Sequence, residues 1–211
     1  MDYSQFKQLE FRRKFWKFIG AEIFITNPVN QQEVGYIHMK GWKLREDIRI
    51  FTDRSQQQEL LQVHARQIID IGATYDVIDS ASEQPFFAAR RKGLKSIFVR
   101  DHWTLLDTAG NEFGTIQETS SGLAIARRWL EILPYVGGII GMVFMFVPQT
   151  YTITSASANG TQALAGTITH RKNPFVVKMN LDTSAAQVTV HPYIPLASTA
   201  LLSIIDAVKN N

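Results

Sequence analysis

The chain contains no cysteine, which excludes disulfides, thiolate catalysis, cysteine-based zinc sites and S-palmitoylation. A secretory signal peptide is also missing from the N-terminal residues, because basic side chains interrupt the aromatic ones and no small-residue cleavage site follows. We therefore expect a cytoplasmic protein.

Catalytic and metal-binding motifs are lacking as well. None of the histidines is paired at i, i+4, and no HExxH, GxSxG or glycine-rich phosphate loop stands at a strand-to-helix junction. Asp101 and His102 are adjacent, but neighbours in a strand face opposite sides and cannot easily act on one substrate. We expect no enzymatic activity, no metal and no cofactor. Without a recognition helix or a stacking motif, no nucleic-acid partner is expected either.

What the chain does have is enough apolar material for one sizeable core, with 211 residues of which 45% are hydrophobic. Lysine and arginine outnumber aspartate and glutamate by 22 to 19, and the isoelectric point is about 9.2. This mild positive charge favours anionic partners.

An internal repeat dominates the sequence. Each copy opens with an alternating β-branched or aromatic run, passes through a turn rich in Asn, Asp, Ser or Gly, and closes with a second extended run, which is typical of a β-hairpin. Six copies start at residues 22, 48, 75, 103, 151 and 177. His38, His64 and His170 take matching positions near the ends of second strands, so we interpret them as repeat positions.

Six hairpins predict twelve antiparallel strands, and a sheet of that size closes into a barrel to remove its edges. Residues 196–209 lack turn residues and are apolar nearly all round, which predicts a helix buried on every side. Since a twelve-stranded barrel is too wide for its own side chains to fill, we expect this helix to lie inside it. The predicted fold is a mainly β, closed twelve-stranded barrel around a central hydrophobic C-terminal helix.

This architecture resembles the tubby C-terminal-like superfamily, and residues 75–118 resemble its phospholipid scramblase and LURP-one-related branch. That stretch reads YDVIDSASEQPFFAARRKGLKSIFVRDHWTLLDTAGNEFGTIQE, with an RRKGL connector followed by a W-x-h-x-D-x-x-G hairpin (h, hydrophobic), and LLSIIDAV at 201–208 is similar to the family's helix. The resemblance implies a membrane-associated or phospholipid-binding module. Two scramblase features are missing: the cysteine-rich palmitoylation segment, and the acidic calcium segment, where 179–195 offers only Asp182.

The interval between the fourth and fifth hairpins contains an apolar insertion at about 127–149. Its uncharged core, 132–147, would span about 24 Å as a helix, short of the roughly 30 Å hydrocarbon layer. Because a barrel closes only if the insertion returns to the side it left, we expect either shallow membrane insertion or packing on the barrel or on a partner subunit. The candidate contact residues are Arg127, Arg128, Trp129, Ile139, Ile140, Met142, Phe144 and Phe146.

Cations recur where the second strands of the hairpins finish. Since all hairpins of such a barrel close at the same end, these cations are expected on one rim, either as a site for anionic lipid or as solvated charges that protect strand ends. They are Lys40, Arg66, Arg90, Arg91, Lys92, Arg171 and Lys172.

Residues 5–19 fit a helical wheel with one aromatic and one basic face, so we predict an N-terminal amphipathic helix within 1–20, lying on a membrane or across the barrel. The barrel domain is expected over 21–211. The leading functional hypothesis is a non-enzymatic module that binds anionic phospholipid, cytoplasmic or peripheral on the inner face of a membrane. The alternative is a soluble structural or regulatory protein whose apolar loop forms a homo-oligomer or partner interface.

Overall fold

The computed structural model describes residues 2–13, 21–39, 48–66, 72–92, 101–119, 148–157, 159–171 and 178–209. A 3-10 turn, Tyr3–Gln5, precedes twelve strands and one helix, α1, at Tyr193–Lys209. The strands are β1 Gln8–Arg13, β2 Ala21–Thr26, β3 Glu33–Met39, β4 Ile48–Phe51, β5 Glu59–Ala65, β6 Thr74–Asp79, β7 Gln84–Arg91, β8 His102–Leu106, β9 Glu112–Glu118, β10 Gln149–Ala156, β11 Gln162–Arg171 and β12 Lys178–Asp182.

The twelve strands form a closed antiparallel barrel in which each strand pairs with its sequence neighbours and β1 pairs with β12. The predicted fold class is confirmed. Every hairpin from β2–β3 to β10–β11 carries a register shift near the end of its first strand, as at Ile25/Thr26 and Leu105/Leu106. Bulges of this kind increase the local twist of a strand pair, which helps a sheet to curl on itself.

Helix α1 occupies the barrel interior, as predicted, although it begins at Tyr193 rather than at Leu196. Every residue from Leu196 to Asp206 is buried. The hydroxyls of Thr199 and Ser203 donate to the carbonyls of Pro195 and Thr199, each at 2.8 Å. These back-bonds satisfy hydroxyl groups that would otherwise be costly to bury.

The N-terminal amphipathic helix predicted over 5–19 is wrong in the part of that segment that the structure describes. Residues 8–13 form β1, with Leu9 and Phe11 facing the core at 3% and 1% exposure. Leu9, Phe11 and Arg13 are buried and Gln8 and Arg12 are exposed, as the period of two in a strand requires, although Glu10 is buried as well. Tertiary pairing on both sides of this strand outweighs the helical pattern.

Strand β1 also takes the place predicted for the second strand of the sixth hairpin. It pairs with β12 from Gln8↔Asp182 to Arg12↔Lys178 and with β2 from Glu10↔Thr26 to Arg13↔Ile23. Residues 183–192 make turns and irregular chain instead of a strand. The predicted number of strands is correct, but the twelfth comes from the other end of the chain.

The N-terminal turn is attached to the barrel through Tyr3. Its hydroxyl donates to the carbonyl of Val34, and its ring meets Tyr193 edge-on with centroids 6.2 Å apart. Gly35 makes this approach possible, because a Cβ there would lie 2.9 Å from the Tyr3 hydroxyl oxygen. Burial raises the pKa of Tyr3, which keeps the hydroxyl protonated as a donor.

Candidate functional site

The barrel has two unlike ends. The five hairpin turns, the N-terminal turn and the start of α1 lie at one end, which we call the turn end. Strands from neighbouring hairpins are joined at the other, which we call the connector end. Residues Arg66, Arg90, Lys92 and Arg171, all predicted for the basic rim, stand at strand ends on the connector end.

Two of these cations have carboxylate partners on the outer wall. Arg66 forms a bidentate ion pair with Asp76, in which Nε donates to Oδ2 and Nη2 donates to Oδ1, each at 2.6 Å. These hydrogen bonds raise the pKa of the Arg66 guanidinium. Arg90 lies 3.7 Å from Glu112, and both side chains are largely exposed. Arg66 is therefore neutralised, whereas Arg90 remains only loosely compensated.

Arg91 does not belong to the exposed rim. Its side chain is 7% exposed, its Nη2 donates to Asp101 Oδ1 at 2.8 Å, and its guanidinium lies 5.7 Å from the ring centroid of Trp103. Because successive strand residues face opposite sides, Arg90 points outward and Arg91 inward. Its prediction as a lipid contact is corrected, since the side chain is not at the surface.

Lys92 and Arg171 are exposed, and they stand on either side of the end of β9 and the start of β10, which residues 120–147 separate in the sequence. The Lys92 amide donates to the His102 carbonyl at 2.9 Å. The carbonyl of the preceding residue, Asp101, accepts from the amide of Glu118, the last residue of β9, at 3.0 Å. On the other side His170 pairs with Gln149, which places Arg171 beside Pro148. Within the described ranges neither cation forms an ion pair.

A row of cations that the sequence did not reveal continues from Arg171. Register places Arg171 opposite Lys178 and Lys178 opposite Arg12, on three adjacent strands. Glu10 lies between two of them, 2.9 Å from Arg12 and 3.1 Å from Lys178. One carboxylate for three cations leaves the row positive. Arg12 was hidden because it was assigned to a helix, and Lys178 because it starts a strand instead of ending one.

The other predicted site residues lie outside the described residues. They are Lys40 and Lys172 of the basic rim, and Arg127, Arg128, Trp129, Ile139, Ile140, Met142, Phe144 and Phe146 of the apolar insertion. In the part of the chain that is described, no helix combines the length and the apolar character needed to cross a membrane. The same part contains no group of three or more His, Asp or Glu side chains arranged to hold a metal ion.

A family model described as LURP-one-related matches residues 33–205, well over half of the chain. The chain belongs to the LURP-one-related family. This family is part of the tubby-like C-terminal superfamily, and the resemblance stated from the hairpins and helix is confirmed. Comparison with curated proteins and with solved structures gave no match. The superfamily is generally non-enzymatic.

Inside the connector end of this LURP-one-related barrel lies a buried cluster of ionisable groups. Asp206 Oδ2 of α1 lies 3.4 Å from His170 Nε2 on β11, and both side chains are at least nine-tenths buried. Burial lowers the pKa of Arg13 on β1, and the Asp206 carboxylate partly offsets this. A carboxylate near a helix C-terminus is disfavoured by the helix dipole, and its attraction to the Arg13 guanidinium offsets part of this cost.

His170 is thus unlike the two histidines with which its sequence position groups it. His38 and His64 are partly exposed, and His64 Nε2 lies 3.0 Å from Gln62 Oε1 on the outer wall. His170 is 1% exposed and faces α1. All three histidines stand one residue before the end of a second strand, as predicted, but His170 faces inward because the direction of a strand residue depends on a register that spacing does not report.

The adjacent pair Asp101 and His102 shows no sign of acting together. Asp101 is bound to Arg91, whereas His102 Nε2 is buried without a hydrogen-bond partner in the described structure. Burial and the nearby ammonium of Lys92 lower the pKa of His102, and Glu112 partly opposes them. A cationic His102 is therefore disfavoured in the folded state.

Acid is expected to destabilise the protein partly through His102. Because its folded-state pKa lies below the unfolded value of about 6.5, the unfolded chain binds the proton more readily. The contribution of His102 is complete above about pH 6.5 and is lost as the pH falls below it. Urea unfolding at pH 7.5 and 5.5 should show a smaller loss of stability for His102→Gln than for the unmodified protein. Equal losses in the two proteins would contradict this assignment.

Proposed function

We propose that this LURP-one-related protein is a non-enzymatic, peripheral module that binds anionic phospholipid at the connector end of its barrel, on the cytoplasmic face of a membrane. The proposal is supported above all by one observation. Lys92 and Arg171 are exposed and have no ion pair within the described residues. They stand on either side of the end of β9 and the start of β10, the two strands that the apolar insertion connects in the sequence. Cations beside an apolar segment suit the boundary between headgroups and acyl chains.

The cation row and the loosely paired Arg90 add to this surface. Arg171, Lys178 and Arg12 carry three positive charges against the single carboxylate of Glu10. Arg66, paired with Asp76, and the buried Arg91 are not part of the proposed contact. Within the described N-terminal residues 2–13, Arg12 belongs to this surface, whereas Leu9 and Phe11 face the barrel core.

Vesicle co-sedimentation tests the proposal. The protein is expected to sediment with phosphatidylcholine vesicles that contain phosphatidylserine and not with phosphatidylcholine alone. Lys92→Gln with Arg171→Gln should lower the partition coefficient about 30-fold, because each cation near an acidic surface contributes about 1 kcal/mol. A double variant at the turn end, Lys7→Gln with Arg54→Gln, removes the same charge and should bind normally. Equal weakening in both double variants would mean that vesicle binding depends only on net charge, and would contradict a lipid-binding site at the connector end.

The apolar insertion is tested separately by deleting residues 130–147. Loss of vesicle binding in a deletion variant that still melts cooperatively is the expected result. A different result would contradict the lipid proposal: the intact protein does not bind acidic vesicles and elutes from gel filtration as an oligomer, and the deletion variant elutes as a monomer. The insertion would then be a subunit interface.

A further inference from the structure

A groove of about 310 Å³ opens at the turn end, far from the proposed membrane surface. It runs between the N-terminal residues 3–9 and the irregular segment 183–192 that replaces the predicted twelfth strand. Its floor consists of buried side chains, Leu9, Ala165, Leu181 and Pro195, and its upper walls include the partly exposed Phe6 and Val188. The volume lies at the low end of the range of about 300–1,000 Å³ typical of small-molecule sites.

The walls of this groove are held by backbone hydrogen bonds. The amide and hydroxyl of Thr183 both donate to the Lys7 carbonyl, at 2.8 and 3.2 Å. The amides of Gln187 and Val188 both donate to the Leu164 carbonyl, at 2.7 and 3.2 Å. A groove tied on both sides to the barrel exists before a ligand arrives, so binding need not order its walls.

The charge of the groove is one-sided. Lys7 is the cation among its lining residues, and no aspartate or glutamate lines it. Lys7 is exposed, and its ammonium has no hydrogen bond or ion pair in the described part of the chain. Asp182, the last residue of β12, accepts hydrogen bonds from the Gln8 side-chain amide at 2.9 Å and from the Ser184 backbone amide at 2.8 Å. An occupant with an apolar body and one negative charge complements these walls.

We infer that the groove binds a free medium-chain fatty carboxylate, with its hydrocarbon chain along Leu9, Leu181 and Val188 and its carboxylate at Lys7. This site is separate from the membrane surface proposed above, since it lies at the opposite end of the barrel and uses none of the same residues.

Calorimetric titration with decanoate, below its micellar concentration, tests the inference. One decanoate is expected to bind per chain, and 1-decanol, which has the same chain and no charge, should bind at least fivefold more weakly. Lys7→Gln should weaken decanoate binding about fivefold, the size of an exposed ion pair, and leave decanol binding unchanged. Arg54→Gln removes the same charge outside the groove and outside the proposed membrane surface, and should bind decanoate normally. No saturable binding, or equal affinity for decanoate and decanol, would overturn the assignment.

A steric pair of variants locates the site. Ala186 is exposed and lines the groove, whereas its exposed neighbour Ala185 does not. Ala186→Trp should abolish decanoate binding without changing the melting temperature, and Ala185→Trp should bind as the unmodified protein does. Full binding by Ala186→Trp would place decanoate elsewhere. Neither result depends on vesicle binding, which is measured independently at the connector end.

Discussion

Ile205→Asp is expected to leave the protein without a cooperative unfolding transition. Ile205 is 4% exposed on a helix that the barrel surrounds, and its neighbour Asp206 already introduces one carboxylate there. A second buried carboxylate without a partner costs several kcal/mol, a large share of the roughly 5–15 kcal/mol that stabilise a typical domain. The loss follows from charge burial and not from lost volume.

Circular dichroism melting distinguishes these two causes. Ile205→Val removes one methylene at the same position and should cost only about 0.5–1.5 kcal/mol, with a cooperative transition retained. A soluble Ile205→Asp variant that melts like the unmodified protein would mean that α1 does not lie inside the barrel.

Phe11→Ala is expected to lower the free energy of unfolding by about 3–5 kcal/mol, because it empties a core site on the strand that closes the barrel. Phe11 is 1% exposed and stands between Met179 of β12 and Ile25 of β2. Urea denaturation measures the loss.

The matched control for Phe11→Ala is its neighbour on the outer face. Arg12→Ala removes an ion pair with Glu10 from a side chain that is 47% exposed, and should cost about 1 kcal/mol or less. If Phe11→Ala and Arg12→Ala instead had equal, small effects on stability and both weakened vesicle binding, residues 8–13 would behave as a surface helix and not as β1.

The eleven strands β2 to β12 were predictable because each belongs to a repeated unit with an alternating pattern next to a turn. The end of the barrel was not. Residues 187–190, QVTV, show the alternation of polar and apolar side chains that is typical of a strand. They do not form one, because β1 already pairs with the free edge of β12. That competition is decided by a contact such as Gln8 with Asp182, 174 residues apart, which no local pattern reports.

The site was predicted less completely than the fold. The position of the described rim cations at one end of the barrel followed from hairpin topology. The inward direction of Arg91 could have been read from the alternation with Phe87 and Ala89 in the same strand. The contact between His170 and Asp206 could not, since it depends on how α1 is rotated inside the barrel. A single acidic residue in an otherwise apolar helix was the one available signal.

Closure of the barrel by β1 and β12 has a consequence for biosynthesis. Strand β1 is translated before the other eleven strands and cannot complete its pairing until Lys178–Asp182 has been made, so one of its edges stays unpaired while β2 to β11 are translated. Helix α1 is translated after β12, and until then the apolar side chains that line the barrel interior have no helix to pack against. Such nonlocal closure slows folding and leaves an unpaired sheet edge exposed to other nascent chains, so this protein is expected to depend on chaperones that shield the open sheet until α1 has emerged.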